Sequence, residues 1–181
     1  DYLKGVAETS EGDAAEYQKA MTVAARTYAQ YYIQKGGKRG ADEVYILNNT
    51  TSDQLYKGYA REILAPSIVQ AVNDTRGEIM TYNGNPIVAA YSSGAAELQT
   101  IGTKSACALW GGQYCQAGFE YLSGGVKDPI GAEYSYASCG GANHCVGLSG
   151  AGARAFAKAG TKNYQEILRH YYTGTEVKKI Y

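Results

Sequence analysis

The amino-acid sequence predicts an α+β domain, and three features of its 181 residues lead to that fold class. Residues 14–34 carry apolar side chains at helical spacing. Residues 78–91 have the pattern of a β-hairpin with an Asn-Gly turn. Two more helical segments fall within residues 149–172, and no linker or internal repeat divides the chain. We therefore expect one domain with a long central core helix, a sheet that contains the hairpin, and two C-terminal helices.

The long helix is the element with the strongest sequence signal. Residues 1–7 before it read as a short strand or a helical turn, and Asp13 is a plausible N-cap for the helix. Alanines on one face allow a neighbouring backbone to approach closely, which is typical of a core helix. Gly36 and Gly37 end the helix.

The segment between the long helix and the hairpin predicts three short elements. Val44–Leu47 has the composition of a strand, and Ser52 or Asp53 could cap a short helix that runs through Tyr59. Pro66 suits the first position of another helix, over residues 67–72.

The hairpin and the C-terminal elements follow in order. The hairpin strands are Glu78–Tyr82 and Pro86–Tyr91, joined by the turn at residues 83–85. Residues 92–141 are rich in Gly, Ser and Ala and show little periodicity, which predicts a functional, stapled loop region. The last elements are a helix from Ser149 or Gly150 through Lys158, a helix over residues 164–172 capped by Asn163, and a strand over residues 175–180.

Composition excludes some classes of function. Lys and Arg total 17, as do Asp and Glu, so the chain lacks the basic footprint of a nucleic-acid binder. No apolar run approaches the length that spans a membrane. Tyrosine is abundant, with 18 residues, and its ring and hydroxyl suit both core edges and sugar-binding clefts.

The four cysteines leave two interpretations open. Cys107 and Cys115 are separated by seven residues, and Cys139 and Cys145 by five, which favours short disulfide loops and hence an extracytoplasmic protein. His144 lies beside Cys145, so a zinc site formed by Cys139, His144 and Cys145 is the weaker alternative. Apart from this minor zinc alternative, we expect no cofactor.

Several segments, in one order, carry a family resemblance. They are VAARTYA at residues 23–29, TRGEIMTYNGNPIVAAYSSG at 75–94, NHCVGLSGAGARAFAKAG at 143–160 and NYQEILRHYYTGTEV at 163–177. Together they resemble the SpoIID family of stage II sporulation protein D and the amidase-enhancer proteins. The resemblance implies a bacterial, peptidoglycan-acting domain over residues 1–181. Since the chain starts at Asp1, we expect it to be part of a longer secreted or anchored chain.

The resemblance also implies an activity. The best-known members are lytic transglycosylases that cleave glycan strands stripped of their stem peptides. The family's catalytic glutamate precedes the A-A-R-T-Y helix, and Glu8 falls at that place, 18 residues ahead of Arg26. The family's glycine-rich G-H-G-V-G-M-S-Q-Y-G-A motif corresponds to residues 143–153, with His144 and Ser149 at matching positions. Two departures stand out, because Cys145 replaces a glycine and the Ser-rich turn after the hairpin continues here as Ala95-Ala96-Glu97.

The expected chemistry needs one carboxyl group. Glycoside cleavage requires an acid that is still protonated near neutral pH. In a lytic transglycosylase, the C6 hydroxyl of the sugar is the nucleophile, so Glu8 could first protonate the leaving oxygen and then accept the C6 proton while a 1,6-anhydromuramic end forms. Burial beside Val6 and Ala7 would raise the pKa of Glu8. Glu11, Asp13 and Glu97 are the other carboxylates considered, and a surface role is the plain alternative for Glu8 itself.

Six further residues are candidates for binding the substrate: Arg26, Tyr91, Ser92, Ser93, His144 and Ser149. Arg26 could equally be a structural arginine that binds backbone carbonyls. Ser149 could simply cap its helix.

Three hypotheses follow for the function. The first is a metal-independent peptidoglycan lytic transglycosylase with Glu8 as its acid and base. The second is a non-catalytic cell-wall glycan-binding or amidase-activating module, for which a cell-wall amidase or other cell-wall proteins would be partners. The third is a zinc-stabilised structural domain. In the first two, glycan strands are the partner and the protein is secreted, in the cell wall or anchored outside the cytoplasm.

Overall fold

Helix α2 (Ala15–Gln34) runs through the core of the computed structural model, which describes residues 2–40 and 44–181. The predicted α+β fold and its long central helix are confirmed. The predicted cap is wrong: the N-cap residue is Ala14, which makes no side-chain hydrogen bond. Asp13 instead accepts a hydrogen bond from the Ser10 N–H at 2.8 Å and pairs with Arg154, because the chain turns before the helix starts.

Three short helices flank α2. Of the strand or helical turn expected over residues 1–7, the helical turn is present as α1 (Tyr2–Gly5). Helix α3 (Ala60–Leu64) precedes α4 (Pro66–Asp74), which begins with Pro66 in its first turn as predicted, although it is longer than expected.

Two predictions in the middle of the chain are wrong. Residues 44–47 form no strand, and Val44 is 98% exposed, because no sheet edge lies beside them for pairing. The predicted helix through Tyr59 is absent too. Asp53, expected as its cap, is instead buried in ion pairs with Lys38 and Arg39.

The hairpin is confirmed at its turn. Strands β1 (Glu78–Tyr82) and β2 (Asn85–Pro86) pair antiparallel across Asn83 and Gly84, whose φ values of 49° and 80° are those of a type I′ turn. The second strand is shorter than predicted. The N–H groups of residues 89 and 90 donate to carbonyls two residues earlier, which bends the chain away from the ladder.

The bend creates a second, small sheet. After it, β3 (Tyr91–Ser92) pairs parallel with β4 (Leu148–Ser149). The last strand, β5 (Glu176–Lys179), pairs antiparallel with β1, so the larger sheet has the order β2-β1-β5.

The loop region predicted over residues 92–141 is present and extends over residues 93–147, between β3 and β4. They contain α5 (Ala106–Trp110) and 3₁₀ turns at Ala96–Gln99, Gly112–Cys115 and Glu120–Leu122. Both predicted disulfides are present, as Cys107–Cys115 and Cys139–Cys145. They fit a protein that works in an oxidising compartment.

Two helices complete the core as predicted. The Ser149 hydroxyl caps α6 (Gly150–Lys158) by accepting from the Gly152 N–H. Asn163 and Glu166 form a capping box at α7 (Tyr164–Tyr171). In the part of the chain that the structure describes, no helix has both the length and the apolar character needed to cross a bilayer.

Candidate functional site

A cleft of about 940 Å³ lies between two differently built walls. The first wall contains Glu8, and we call its residues 6–8, 54–55 and 91 the glutamate wall. We call residues 107–115 and 139–145, which contain the two disulfides, the stapled wall. Five of the predicted site residues line this cleft, and these are Glu8, Tyr91, Ser92, Ser93 and His144.

Glu8 is positioned by a short stretch of extended chain. Val6 forms an antiparallel bridge with Tyr56, and the Ala7 N–H donates to the Leu55 carbonyl at 2.8 Å. Arg61 holds the same stretch from the other side, because its guanidinium donates to the Val6 carbonyl at 3.2 Å and to the Thr9 carbonyl. The backbone on both sides of Glu8 is therefore fixed.

The surroundings of Glu8 favour its protonated form. Burial raises the pKa of the Glu8 carboxyl above its usual range. Hydrogen bonds from the Leu55 backbone and the Tyr91 side chain, and the nearby charge of Arg61, oppose that rise. Because the net shift is upward, Glu8 holds its proton at a higher pH than an exposed glutamate.

A buried amide orients the tyrosine beside Glu8. The Gln54 side chain is fully buried, donates to the Ala25 carbonyl at 2.9 Å and to the Tyr91 hydroxyl at 3.2 Å, and accepts from the Tyr2 hydroxyl at 2.9 Å. Burial and the charge of Glu8 raise the pKa of Tyr91 well above its ordinary value, so Tyr91 keeps its proton and its hydroxyl can donate a hydrogen bond to Glu8.

The stapled wall presents aromatic rings to the cleft. Trp110 and Tyr114 lie inside the loop closed by Cys107–Cys115, and their ring centroids are 5.0 Å apart. The Trp110 ring also meets His144 at 5.1 Å, edge to face. Such rings offer flat apolar faces against which sugar rings can pack.

His144 is a neutral group in this wall. Its Nδ1 accepts from the Val146 N–H at 3.0 Å, so the proton of the neutral ring is on Nε2. Burial lowers the pKa of His144 to about 4, and a hydrogen bond with the Tyr91 backbone partly opposes that shift. His144 therefore carries no charge near neutral pH, and both of its ring nitrogens have backbone partners.

The three predicted serines lie in different places. Ser92 lines the cleft and accepts from the Cys145 N–H at 3.1 Å, which ties β3 to the second disulfide. Ser93 is exposed in the cleft, and its carbonyl accepts from the Ala151 N–H. Ser149 is 1% exposed and donates to the buried Asp128 at 2.6 Å, so it lies behind the cleft and not on its surface.

Arg26 also lies away from the cleft lining. It is 7% exposed, and its guanidinium donates to the Thr75 carbonyl at 2.7 Å, the Glu78 carbonyl at 3.0 Å and the Val72 carbonyl at 3.4 Å. Two of these carbonyls are at the C-terminal end of α4, where the helix dipole favours a positive charge. This geometry agrees with the interpretation of Arg26 as a structural arginine that binds backbone carbonyls.

The other charged groups of the cleft have partners. Lys38 and Arg39 hold the pKa of Asp53 at about 2, against the opposing effect of burial, so Asp53 is ionised. Arg154 pairs with Asp13 at 3.0 Å and lies over the Tyr17 ring at 4.7 Å. Both Lys38 and Arg154 line the cleft and could attract an anionic group of a ligand.

The remaining candidate carboxylates lie outside the cleft lining. Glu11 is exposed and accepts from Ser67, and Glu97 accepts from the Cys139 N–H at 2.8 Å. Asp13 is engaged at the start of α2. Glu8 is therefore the predicted carboxylate that the fold brings to the cleft.

Two of the three residues of the alternative zinc site are joined to each other by a disulfide. The sulfurs of Cys139 and Cys145 are bonded to each other and are not free thiolates. Within residues 2–40 and 44–181, no group of three or more His, Cys, Asp and Glu side chains is arranged to hold a metal ion.

Sequence reasoning missed four contributors to the site: Gln54, Arg61, Trp110 and Tyr114. For the two aromatic residues a signal was present, since both fall between the paired cysteines at 107 and 115. For Gln54 and Arg61 the sequence gives no signal, because their partners are 29 to 55 residues away.

Comparison with known proteins agrees with the resemblance. The family model described as SpoIID, stage II sporulation protein, matches residues 1–82, which include Glu8 and Arg26. An uncharacterized protein of Brachyspira hyodysenteriae (strain ATCC 49526 / WA1) is 42% identical over 95 residues, or 51% of this chain and 24% of that protein. The protein named amidase enhancer of Bacillus subtilis (strain 168) is 42% identical over 93 residues, or 50% of this chain and 11% of that protein.

The matches cover part of this chain and a smaller part of each relative. The chain spans about a quarter of the first relative and about a tenth of the second. The family model ends at residue 82, so the predicted correspondence of residues 143–153 with the glycine-rich motif lies outside it and stays a prediction. The SpoIID resemblance itself is confirmed over residues 1–82.

Proposed function

From the SpoIID match over residues 1–82, we propose that this protein acts on the cell wall as a peptidoglycan lytic transglycosylase. Its substrate in this proposal is the glycan strand stripped of stem peptides, and Glu8 is the single acid and base. The relative named amidase enhancer supports the coarser part of the proposal, a role related to the cell wall.

One observation carries the assignment of Glu8. Three carboxylates line the cleft among the residues that the structure describes, and they differ in environment. Asp53 is held ionised by two cations, and the Glu133 side chain is 87% exposed and pairs with Lys158. Glu8 alone of the three combines burial with a raised pKa, which is the property that a general acid needs.

The proposed reaction needs no second carboxylate and no water. Protonated Glu8 donates its proton to the glycosidic oxygen, and the bond from that oxygen to C1 of the muramic acid residue breaks. The C6 hydroxyl of the same residue forms a bond to C1, while the Glu8 carboxylate takes up the C6 proton. The carboxyl group is thus restored, and the products are a new 4-hydroxyl end and a 1,6-anhydromuramic end.

Other groups of the cleft would hold the strand. Tyr91 donates to Glu8 and fixes the direction of its carboxyl group. Trp110, Tyr114 and His144 offer ring surfaces to the sugars, and Ser93 offers a hydrogen bond. Lys38 suits the lactyl carboxylate of a muramic acid residue, since it lines the cleft as a cation.

The test is product analysis with peptide-free glycan strands. Wild-type protein should release fragments with 1,6-anhydromuramic ends, detected by mass spectrometry, and Glu8→Gln should lower the rate at least about 100-fold. Glu11→Gln is the matched control, because Glu11 lies three positions on but outside the cleft lining. An inactive wild type, or full activity in Glu8→Gln, would contradict the proposal.

The pH profile gives an independent test of the same residue. The first step needs the protonated acid, so cleavage should fall as pH rises through the pKa of Glu8. Because burial raises that pKa, the fall should occur at a higher pH than the ordinary range of a glutamate. Tyr91→Phe should move the midpoint further up, because Tyr91 contributes a hydrogen bond that favours the ionised form.

A second candidate function is a non-catalytic module that binds glycan and activates a cell-wall amidase. The amidase-enhancer relative favours it. In that case Glu8→Gln would leave stimulation of a purified cell-wall amidase on whole peptidoglycan unchanged, and wild type would form no anhydro product. These two results together would replace the enzymatic proposal.

A further inference from the structure

A second concavity, of about 420 Å³, lies at the C-terminal end of α2 beside the β1–β2 turn. We call it the hairpin pocket. Its aromatic lining includes Tyr31, Phe119 and Tyr121, and its polar lining includes Gln34, Lys35 and Asn85. Its size falls within the range of roughly 300–1,000 Å³ of small-molecule sites, and it mixes apolar rings with a few polar groups as such sites do.

Neighbouring aromatic rings join the lining of the hairpin pocket to the lining of the cleft. Trp110 and Tyr114 line the cleft, Phe119 lines the pocket, and the Tyr114 and Phe119 centroids are 5.3 Å apart. A second connection runs along α2, where Tyr32 faces the cleft and Tyr31 the pocket, with their centroids 5.1 Å apart. The half-buried rings of Tyr114 and Phe119 therefore connect the lining of the cleft with that of the pocket.

The polar groups of the pocket indicate which ligand it suits. The amides of Gln34 and Asn85 each carry donors and an acceptor, which match the hydroxyl and acetamido groups of a sugar. Lys35 lies over the Tyr31 ring at 5.7 Å, and the described lining contains no Asp or Glu. An uncharged or acidic amino sugar fits this chemistry, while a basic ligand does not.

The loop that carries Phe119 is fixed in place. Glu120 accepts from the Gly118 N–H at 2.9 Å and also hydrogen-bonds the Tyr82 hydroxyl of β1. The 3₁₀ turn at Glu120–Leu122 then places Tyr121 in the core, where its hydroxyl accepts a hydrogen bond from the Val88 N–H at 3.0 Å. The pocket is therefore formed before any ligand arrives, which lowers the cost of binding.

We propose that the hairpin pocket is a distal subsite that holds an N-acetylhexosamine residue of the same glycan strand that occupies the cleft. This rests on the proposed function, because it takes the strand to lie in the cleft. It deepens that proposal by giving the protein a preference for longer strands. A stem peptide is the competing occupant, and the experiment below separates the two.

The experiment measures binding without turnover, in protein that carries Glu8→Gln. Three ligands are titrated while tryptophan fluorescence is followed: chitobiose and chitohexaose, which are β-1,4-linked N-acetylglucosamine oligomers, and a free stem peptide. Trp110 is the sole tryptophan and lines the cleft, so the signal reports occupancy of the cleft. Phe119→Leu removes the ring that joins the two sites, and Phe156→Leu, the other phenylalanine, is the matched control because it packs on His170 away from both.

Phe119→Leu should weaken chitohexaose binding about fivefold, as expected for one lost ring contact, and leave chitobiose binding unchanged. Phe156→Leu should change neither. Gln34→Ala, at the exposed end of α2, should also weaken chitohexaose selectively and guards against a folding defect in Phe119→Leu. Equal chitohexaose affinity in all variants would overturn the subsite, as would a loss confined to a free stem peptide.

Failure of the subsite and failure of the proposed function give different results. If wild type forms anhydro product but the variants bind chitohexaose equally, only the subsite is wrong. If wild type forms no product but Phe119→Leu still weakens chitohexaose, the subsite stands on a protein that binds without cleaving.

Discussion

The two walls of the cleft are held by different kinds of bonds. In the glutamate wall, Glu8 is placed by a backbone bridge to residues 55–57 and by Gln54 and Arg61, all of them non-covalent contacts. In the stapled wall, Trp110, Tyr114 and His144 lie within or beside loops closed by disulfides.

The difference follows from what each wall can bury. The glutamate wall contacts α2, whose tyrosine and alanine side chains belong to the main hydrophobic core. Residues 93–147 are rich in Gly and Ser, lack a helix longer than α5, and supply few of the large buried apolar side chains. Cross-links compensate by restricting the unfolded chain. The comparison teaches that the proposed acid depends on core packing, while the proposed sugar-binding rings depend on oxidation.

The largest expected effect tests the packing of α2, the helix behind the glutamate wall. Arg26→Leu should lower the free energy of unfolding by about 3 kcal/mol, since buried carbonyls at the end of α4 lose their donor. Chemical denaturation measures it, with the exposed Arg76→Leu as control. At a temperature where both variants are folded, glycan affinity should equal that of wild type. A selective loss of glycan binding would instead make Arg26 a substrate contact.

The next effect concerns the staples. Replacing both Cys139 and Cys145 by Ala should cost about 2 kcal/mol, the value expected for so short a loop. It should leave the pH profile assigned to Glu8 unmoved, because that residue is held by the other wall. The companion pair Cys107→Ala and Cys115→Ala frees Trp110 and Tyr114, and should reduce chitohexaose affinity more. A shifted pH profile in either double variant would show that the walls are coupled.

The smallest expected effect is a pH dependence of stability from His144. The folded pKa of about 4 lies below the ordinary value of 6.5, so the unfolded chain takes up a proton before the folded one does. This contribution to stability is complete above pH 6.5 and is lost progressively as pH falls towards 4. His144→Gln should lack that part of the loss. Thermal unfolding of both proteins at pH 7 and pH 4.5 measures this loss. An identical fall in melting temperature in wild type and His144→Gln would refute the prediction.

Much of the fold could be predicted because its signals are local. The apolar period of α2, the Asn83-Gly84 turn and the Asn163 cap depend on residues close in sequence, and each is where the pattern put it. The errors have a common cause. Val44–Leu47 had strand composition but no partner strand, and Asp53 had cap chemistry but was taken by Lys38 and Arg39.

For the candidate site, too, some features follow from local sequence and others from tertiary contacts. The sequence by itself determined that Glu8 precedes the long helix, that the chain resembles SpoIID proteins, and that the cysteines are spaced for two short loops. Only the tertiary structure decided that Glu8 meets Tyr91, which the buried Gln54 orients, and that Arg26 faces α4 and not the cleft. The physical reason is that burial and hydrogen bonding, which set the pKa of Glu8, come from residues up to 83 positions away, and no local pattern encodes them.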